Sequence, residues 1–161
     1  MPELTFVMSD SLAKEPGTAF AEHSRRIRAR LPEVEIRHIG GTSLPGLLTT
    51  GDVDILIRVN AREFAHARET LSELYEPLHA NRWSKEAAFF DVSGSTPHVE
   101  FALTVIGSLI DVHHGDAWRQ IAADPDLVYR YNAVKRAHER GSIDEYLAAK
   151  RAFFRDNFTI A

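Results

Sequence analysis

The segment Gly40-Gly41-Thr42-Ser43-Leu44-Pro45-Gly46, followed closely by Asp52-Val53-Asp54, is the part of the sequence that decides the fold. Glycines let the backbone approach a phosphate closely, and successive N–H groups in such a turn can form a nest for an anion. Thr42 and Ser43 add hydroxyls that can donate to phosphate oxygens. The segment lacks the Gly-Lys-Ser/Thr of a Walker loop and the Gly-x-Gly-x-x-Gly of a dinucleotide loop. We therefore expect a phosphate-binding turn of another type, made by Gly40, Gly41, Thr42 and Ser43.

The residues after this turn predict a strand that carries two carboxylates on one face. In the β-branched run Val53–Val59, the odd-numbered residues would form an apolar face for the core. Asp52 and Asp54 share the opposite face, with Cα atoms about 6.7 Å apart at a rise of about 3.3 Å per residue. Like charges this close repel, and such a pair persists readily when a cation lies between them. The pattern predicts a Mg²⁺ (or Mn²⁺) site, whereas a turn cap and a solvated strand residue are the simpler alternative.

A third carboxylate is expected from a second amphipathic strand. In residues 98–105 the odd-numbered positions are apolar, and Glu100 lies on the polar face with His98. If this strand pairs with Val53–Val59 and both apolar faces enter the core, Glu100 points the same way as Asp54. Asp111, in an apolar segment interpreted as a short strand, is the competing candidate, and Glu100 is favoured. The predicted catalytic and metal-binding set is therefore Asp52, Asp54 and Glu100.

The rest of the chain alternates between helices and strands. Periodicity and turn residues predict helices at residues 17–31, 61–75, 117–123, 125–140 and 143–157, and strands at 35–39, 87–92, 98–105 and 109–113. Asn60, Asp124 and Ser142 are the expected helix caps. This order predicts an α+β fold in which a mixed, largely antiparallel sheet has helices on one face and a helical C-terminal third follows. The 161 residues suit a single domain, 1–161.

Composition excludes several classes of protein. The chain has no cysteine, which excludes disulfides, thiolate zinc sites and thiol catalysis. The net charge of −4 argues against a general nucleic-acid-binding protein, although a local phosphate site stays open. No stretch reaches the roughly 20 apolar residues that span a bilayer, and no secretory signal is expected from the N-terminal residues. The expectation is a cytoplasmic protein without membrane contact.

Two repeated residue pairs and several histidines are further candidates. Tyr131 precedes Lys135, and Tyr146 precedes Lys150, by one helical turn. Either each tyrosine stacks on a base while its lysine meets phosphate, or the tyrosines are core residues along which the lysines extend. Lys135 and Lys150 are the candidate phosphate-binding lysines. For the remaining candidates, packed or solvated roles are expected first: His38, His98, the pair His113-His114 and the basic run at residues 25–30.

The turn and the strand after it resemble a known superfamily. A strand, a Gly-Gly or Gly-Ser turn and Asp-x-Asp on the next strand are similar to the polymerase-β-like nucleotidyltransferases. The string His38-Ile39-Gly40-Gly41-Thr42-Ser43-Leu44-Pro45-Gly46-Leu47 resembles the GrpB family, which typically has His-Ile-Gly-Ser-Thr-Ser-Val-Pro-Gly. The two Tyr-x-x-x-Lys pairs resemble the C-terminal pattern of the same family. The resemblance extends from about residue 36 to the end of the chain.

Three positions depart from the family pattern. Gly41 replaces a serine that the resemblance implies would bind the terminal phosphates, and Thr42 or Ser43 is the expected substitute. The stretch Thr49-Thr50-Gly51 replaces a common Ala-Lys-Pro, which removes a lysine. Glu100 replaces a histidine found in many members, which favours a complete carboxylate set here.

The resemblance implies metal-dependent transfer of a nucleotidyl group from an NTP to an unidentified acceptor. Asp52 and Asp54 would hold Mg²⁺ on the triphosphate, and Glu100 would complete the site and deprotonate the acceptor. The backbone of residues 40–43 would hold the β- and γ-phosphates. A catalytically silent nucleotide-binding or interaction module is the alternative that Gly41 favours, and a phosphohydrolase using the same carboxylates is a third hypothesis.

Overall fold

The computed structural model describes residues 3–12 and 14–158. In this part of the chain the strands are β1 (Val7–Met8), β2 (Glu35–Ile39), β3 (Leu48–Thr49), β4 (Val53–Val59), β5 (Glu76–Leu78), β6 (Ala87–Val92) and β7 (Val99–Val105). The α-helices are α1 (Glu15–Arg30), α2 (Phe64–Leu74), α3 (Leu109–Ala123), α4 (Pro125–His138) and α5 (Ile143–Asn157). Short 3₁₀ turns cover Ser9–Leu12, Ala61–Glu63 and Ala80–Arg82.

The main sheet is mixed and largely antiparallel, which confirms the predicted α+β class. Its strand order is β2-β4-β7-β6-β5, and β4 and β7 are its parallel pair. The other pairings, β2–β4, β7–β6 and β6–β5, are antiparallel. A separate two-stranded sheet joins β1 to β3. Because β4 and β7 are neighbours and their apolar faces both enter the core, Glu100 points to the same side of the sheet as Asp54, as predicted.

The apolar faces of β4 and β7 form the core beneath α1 and α2. Ile57 and Leu103 are completely buried there, as are Ile27 of α1 and Leu71 of α2. Each such aliphatic side chain contributes about 1.5–3 kcal/mol through removal from water. The alternation of apolar and polar residues predicted for both strands is therefore confirmed, and it fixes which face the carboxylates share.

The predicted strand at residues 109–113 is wrong, because these residues form the first turns of α3. Ser108 caps the helix by accepting a hydrogen bond from the Asp111 N–H at 3.3 Å. The predicted helix at residues 117–123 is the second half of the same element. A five-residue apolar run cannot distinguish a strand from a buried helical turn by periodicity alone. The helix packs on the sheet face opposite α1 and α2, where Trp118 contacts the cluster around Leu56. Helices therefore cover both faces of the sheet rather than the one face expected.

Two of the three expected helix caps are confirmed. Asp124 accepts a hydrogen bond from the Asp126 N–H at 2.9 Å, and Ser142 accepts one from the Glu145 N–H at 3.3 Å. The Asn60 side chain makes no capping hydrogen bond, and the chain enters α2 through the 3₁₀ turn Ala61–Glu63 instead. Such a turn tightens the helix entry with i→i+3 bonds and lessens the need for a side-chain cap.

Helix α4 anchors the loop between β2 and β4. Asn132 donates to the Gly46 carbonyl at 2.8 Å and accepts from the Leu48 N–H at 2.8 Å. Lys135 donates to the Leu48 carbonyl. The glycine-rich turn is thereby fixed between the sheet and the helical C-terminal third. Over residues 3–12 and 14–158, no helix has both the length and the apolar character needed to cross a membrane.

Candidate active site

A cavity of about 1370 Å³ lies between the polar face of the central strands and the last three helices. Its sheet wall carries Asp52, Asp54 and Glu100, and its helical wall carries Lys135 and Lys150. Aromatic side chains from both walls also line it: Phe89, Phe101, Trp118, Tyr131, Tyr146 and Phe154. The volume exceeds the roughly 300–1,000 Å³ of a typical small-ligand pocket, so the cavity has room for a nucleotide and part of a second ligand.

The basic run at residues 25–30 lies elsewhere. Arg25 and Arg28 line a separate groove of about 700 Å³ on α1, together with Phe20 and Ser24. The residues that line this groove include no carboxylate. The groove therefore lacks the ligand types of the predicted metal site.

The three predicted carboxylates line one cavity, and two of them are direct neighbours across the sheet. Asp54 lies opposite Glu100 in the parallel register of β4 and β7. On the other side of Glu100, Asp91 of β6 is its partner in the antiparallel register. His98 Nε2 lies 3.3 Å from Glu100 Oε1 and 3.8 Å from Asp91 Oδ2. A row of three carboxylates thus crosses the sheet, and only Asp54 and Glu100 of that row line the cavity.

Asp54 holds its proton unusually tightly. Burial, together with the charges of Glu100 and Asp52, raises the pKa of its carboxyl to about 7, against the opposing effect of Lys150. No hydrogen bond is among the causes of this shift. A carboxylate that is surrounded by protein and by other carboxylates is stabilised in its charged form by a nearby cation.

The donor set fits Mg²⁺ in its chemistry. Carboxylate oxygens are the ligands that this hard cation prefers, and Asp52, Asp54 and Glu100 offer them to one cavity. Within the described ranges, no three acidic or histidine side chains already lie in positions to hold one ion. The three carboxylates therefore match Mg²⁺ in residue type and in the cavity that they line. Coordination of one ion would require their side chains to rotate towards each other.

Gly40 is required by the approach of the backbone to Asp54. Its φ of +84° is in the left-handed region, and a Cβ built on it would lie 2.1 Å from Asp54 Oδ2. Any other residue would displace the carboxylate as well as strain the turn. Gly40 and Gly41 both line the cavity.

The structure does not bring the hydroxyls of Thr42 and Ser43 to the cavity. Thr42 Oγ1 donates to the Asp52 carbonyl at 3.0 Å, and Ser43 Oγ donates to the Gly40 carbonyl at 2.6 Å. Neither residue is part of the cavity lining. Their positions stabilise the turn internally, and the expectation that either replaces the missing serine at position 41 receives no support.

The two candidate lysines have different environments. Lys135 is only 2% exposed, lies 3.9 Å from the centre of the Tyr131 ring and donates to the Leu48 carbonyl. Burial lowers the pKa of its ammonium group to about 7. Lys150 is half-buried and exerts the largest charge effect on Asp54. Lys150 therefore has the position expected of a phosphate-binding cation, whereas Lys135 is tied to the loop backbone.

The histidines separate into two groups. His38 hydrogen-bonds Thr42 Oγ1 at 2.9 Å and stacks on Phe20, so it has the packed role that was expected. His113 and His114 are on a helix rather than a strand, and both line the cavity. Burial lowers the pKa of His114 to about 4, which keeps its imidazole neutral at physiological pH.

Several residues at or near the cavity are not predicted from the sequence. Asp91 extends the carboxylate row, Thr49 lies beside Gly41, and Arg151 and Arg155 line the cavity from α5. The helical spacing of basic residues in α5 was an available signal for the arginines. Asp111, the competing third carboxylate, is 1% exposed and is outside the cavity lining.

Asp111 is occupied by a buried ion pair. Arg58 Nε and Nη2 each donate to its carboxylate at 2.7 Å, and Thr104 and the Gly107 N–H complete its hydrogen bonds. Burial alone would raise the pKa of Asp111, but these donors lower it below the ordinary value. Both oxygens of Asp111 have protein partners and the residue does not line the cavity, whereas Glu100 does, so Glu100 remains the favoured candidate for the third carboxylate.

Comparison of solved structures places the fold among nucleotidyltransferases. The Cid1 poly(U) polymerase, in a crystal structure with bound Mg 3′-dATP, matches with a TM-score of 0.55 at 15% identity. The match covers 81% of this chain and 42% of the polymerase chain, so this chain spans less than half of that enzyme. At such low identity the likeness shows the fold alone.

Closer relatives give the family. The crystal structure of GrpB from Enterococcus faecalis matches with a TM-score of 0.69 at 20% identity, covering 88% of both chains. A UPF0157 protein of Vibrio cholerae is 30% identical over 151 residues, which are 93% of this chain and 79% of that protein. The family model described as GrpB protein matches residues 13–159. With the glycine turn, the carboxylate-bearing strands and the helical C-terminal third all inside this match, the chain belongs to the GrpB family.

Proposed function

We propose that this protein is a metal-dependent nucleotidyltransferase that moves a nucleotidyl group from an NTP to an acceptor hydroxyl or phosphate. The observation that carries the proposal is the pairing of Asp54 with Glu100 on parallel strands, inside a cavity whose glycine turn contacts the Asp54 carboxylate. Asp52 lies two residues before Asp54 and lines the same cavity. This arrangement would combine a cation-binding face with a backbone anion site.

Each group has a role that its position supports. Asp52, Asp54 and Glu100 would hold Mg²⁺ or Mn²⁺, which supplies neutralisation of charge on the triphosphate. The backbone of Gly40 and Gly41 would bind the β- and γ-phosphates. Lys150 would add a positive charge from the opposite wall, where it already acts on Asp54. Catalysis in such a site is mainly positioning and electrostatic stabilisation.

The bond changes follow from this placement. The acceptor oxygen attacks the α-phosphorus of the NTP, and its proton passes to the Glu100 carboxylate. The bond between the α-phosphorus and the oxygen bridging to the β-phosphate breaks, and pyrophosphate leaves. His98, 3.3 Å from Glu100, is placed to relay that proton away.

The direct test is transfer of label from α-labelled NTPs. The protein would be incubated with each of the four NTPs, with Mg²⁺ or with Mn²⁺, and with fractionated small-molecule, peptide and RNA acceptors. The expected result is metal-dependent label on one acceptor class together with stoichiometric pyrophosphate. Release of inorganic phosphate without label transfer would instead indicate a phosphohydrolase.

A silent nucleotide-binding or interaction module is the second candidate. It is favoured by Gly41, which removes a hydroxyl from the turn, and by the spacing of the carboxylates, no three of which converge among the described residues. Calorimetric titration with Mg-ATP, read together with the label-transfer assay, separates the candidates, because the module binds nucleotide without any label transfer. Absence of metal-dependent binding to the wild-type protein would contradict both.

A further inference from the structure

Thr49 occupies the space that a side chain at position 41 would need. A Cβ built on Gly41 would lie 2.9 Å from Thr49 Oγ1 and 3.0 Å from Thr49 Cβ. Real Cβ atoms almost never approach another heavy atom so closely, so the two side chains exclude each other. The threonine hydroxyl therefore stands beside the backbone of the glycine turn, where a side chain on residue 41 is missing.

The Thr49 hydroxyl also has a free donor. Its Oγ1 accepts a hydrogen bond from the Gly51 N–H at 3.1 Å, and in residues 3–12 and 14–158 no acceptor takes its proton. Thr42 and Ser43 differ in this respect, because each donates to a backbone carbonyl. Of these three residues, only Thr49 belongs to the cavity lining.

The backbone around Thr49 is held firmly. Thr49 is a residue of β3, where it pairs with Val7 of β1. The preceding residue, Leu48, is held through its N–H by Asn132 and through its carbonyl by Lys135. A hydroxyl on such a fixed backbone is pre-organised for a ligand, so little entropy is lost when it binds.

We infer that the Thr49 hydroxyl is the phosphate-binding hydroxyl of this site, donating to an oxygen of the β- or γ-phosphate that the Gly40–Gly41 backbone receives. The inference rests on the proposed nucleotide site and names a binding residue within it. Gly41 and Thr49 act as a pair: the glycine makes room, and the threonine supplies the hydrogen bond that the turn itself lacks.

The test is calorimetric titration of wild type and variants with Mg-ATP, Mg-tripolyphosphate and AMP. Thr49→Val keeps the branched shape and removes the hydroxyl, so Mg-ATP and Mg-tripolyphosphate should bind about 10- to 100-fold more weakly. Thr49→Ser keeps the hydroxyl and should stay within about threefold of wild type. AMP lacks the terminal phosphates, and its affinity should change less than about twofold in Thr49→Val.

Exchange of the hydroxyl between the two positions gives an independent check. Gly41→Ser alone forces a serine against Thr49 and should weaken Mg-ATP binding by at least tenfold. The double variant Gly41→Ser/Thr49→Gly removes both Thr49 Oγ1 and Thr49 Cβ, so it has the space as well as a hydroxyl at position 41. Its Mg-ATP affinity should recover to within about threefold of wild type; with Thr49→Gly alone as the other single variant, this is a strong coupling in the double-mutant cycle.

The outcomes separate the two proposals. Wild-type binding of Mg-ATP that Thr49→Val leaves unchanged would overturn the role of Thr49 and leave the nucleotide site standing. Equal losses for AMP and ATP in Thr49→Val would also overturn it, since a general disturbance of the loop acts on both ligands. Failure of wild type to bind either triphosphate compound would overturn both proposals together.

Discussion

Asp54 and Glu100 are direct neighbours across the parallel pairing of β4 and β7, and both line the same cavity. Parallel neighbours in register point to the same side of the sheet, about 4.8 Å apart. Asp91 continues the row on the next strand but lies beyond the cavity. Asp54 and Glu100 therefore belong to the candidate site because they lie in the part of the row that the helices cover, whereas Asp91 lies outside that part.

This relationship gives a matched pair of substitutions. Asp54→Asn and Glu100→Gln should each reduce metal-dependent nucleotidyl transfer by at least about 100-fold, because each removes an anionic oxygen from the cation site. Asp91→Asn removes the same charge from the same face and should keep activity within about threefold. The measurement is transfer of α-label under saturating NTP. Equal losses in all three variants would mean that the whole row, and not the cavity, defines the site.

The contact between Gly40 and Asp54 predicts the effect of a single methyl group. Gly40→Ala should lower the free energy of unfolding by about 1–2 kcal/mol through backbone strain, and should also weaken Mg-ATP binding at least tenfold because the Cβ displaces the carboxylate. Gly94 has a φ of +73° with nothing within 4 Å of a built Cβ, so Gly94→Ala carries the strain alone. Urea unfolding and calorimetry on both variants separate the two effects, and nucleotide binding that is unchanged in Gly40→Ala would contradict this account.

Strand periodicity was sufficient to predict the carboxylate face. The strands at residues 35–39, 53–59 and 87–92 have the bounds predicted from the sequence. Glu100 was assigned to the same side of the sheet as Asp54 only because both are even-numbered residues of alternating strands, and the register confirms it. Parity works here because one face of each strand is buried, so a shift of one residue would expose the core.

Tertiary contacts decided what periodicity could not. The apolar pattern of residues 109–113 is compatible with either a strand or a helical turn. The Ser108 cap and the Arg58–Asp111 pair stabilise the helical conformation. The short pairs β1–β3 and β5–β6 depend on partners that are distant in sequence. The sequence could not favour Thr49 over Thr42 and Ser43 as the phosphate-binding hydroxyl, because the orientation of a hydroxyl depends on tertiary packing and cannot be read from residue spacing.

The buried Arg58–Asp111 pair predicts a stability effect without a site effect. Asp111→Ala should lower the free energy of unfolding by about 3–5 kcal/mol, since it leaves a mostly buried guanidinium without its main partner. The double variant Arg58→Met/Asp111→Leu removes both charges and should recover a large part of that loss. Urea unfolding measures both. Below the unfolding transition, Mg-ATP affinity should stay within about threefold; a selective loss of binding would return Asp111 to the list of metal ligands.

Lys150 is expected to contribute to affinity rather than to folding. It is half-buried and is the strongest charged neighbour of Asp54. Lys150→Met should weaken Mg-ATP binding about tenfold by removing a charge-assisted contact, while changing unfolding free energy by less than about 1 kcal/mol. Lys85→Met, at an exposed position outside the cavity lining, is the control. Calorimetry at two salt concentrations checks the prediction, because an affinity unchanged by the Lys150 substitution at low salt would assign phosphate binding to another cation.

The raised pKa of Asp54 predicts how stability depends on pH in metal-free buffer. The folded carboxyl has a pKa of about 7 against an ordinary 3.8, so the folded state binds this proton more tightly than the unfolded chain does. Between about pH 4 and pH 7 the folded state holds the extra proton, and Asp54 therefore lowers the free energy of unfolding progressively as pH rises. This destabilisation by Asp54 is absent below about pH 4 and reaches its full size above about pH 7.

Asp54→Asn should remove this penalty. The full pKa difference corresponds to about 4 kcal/mol of unfolding free energy. Because solvent reaches the cavity, we expect Asp54→Asn to be more stable than wild type by about 2 kcal/mol at pH 8, and equally stable at pH 4. Urea unfolding of both proteins with EDTA from pH 4 to 8 measures the difference. Saturating Mg²⁺ at pH 8 should then stabilise wild type and not the variant, because the ion binds the charged carboxylate only. A difference that stays constant across this pH range would mean that Asp54 is charged throughout and that its surroundings do not favour the proton.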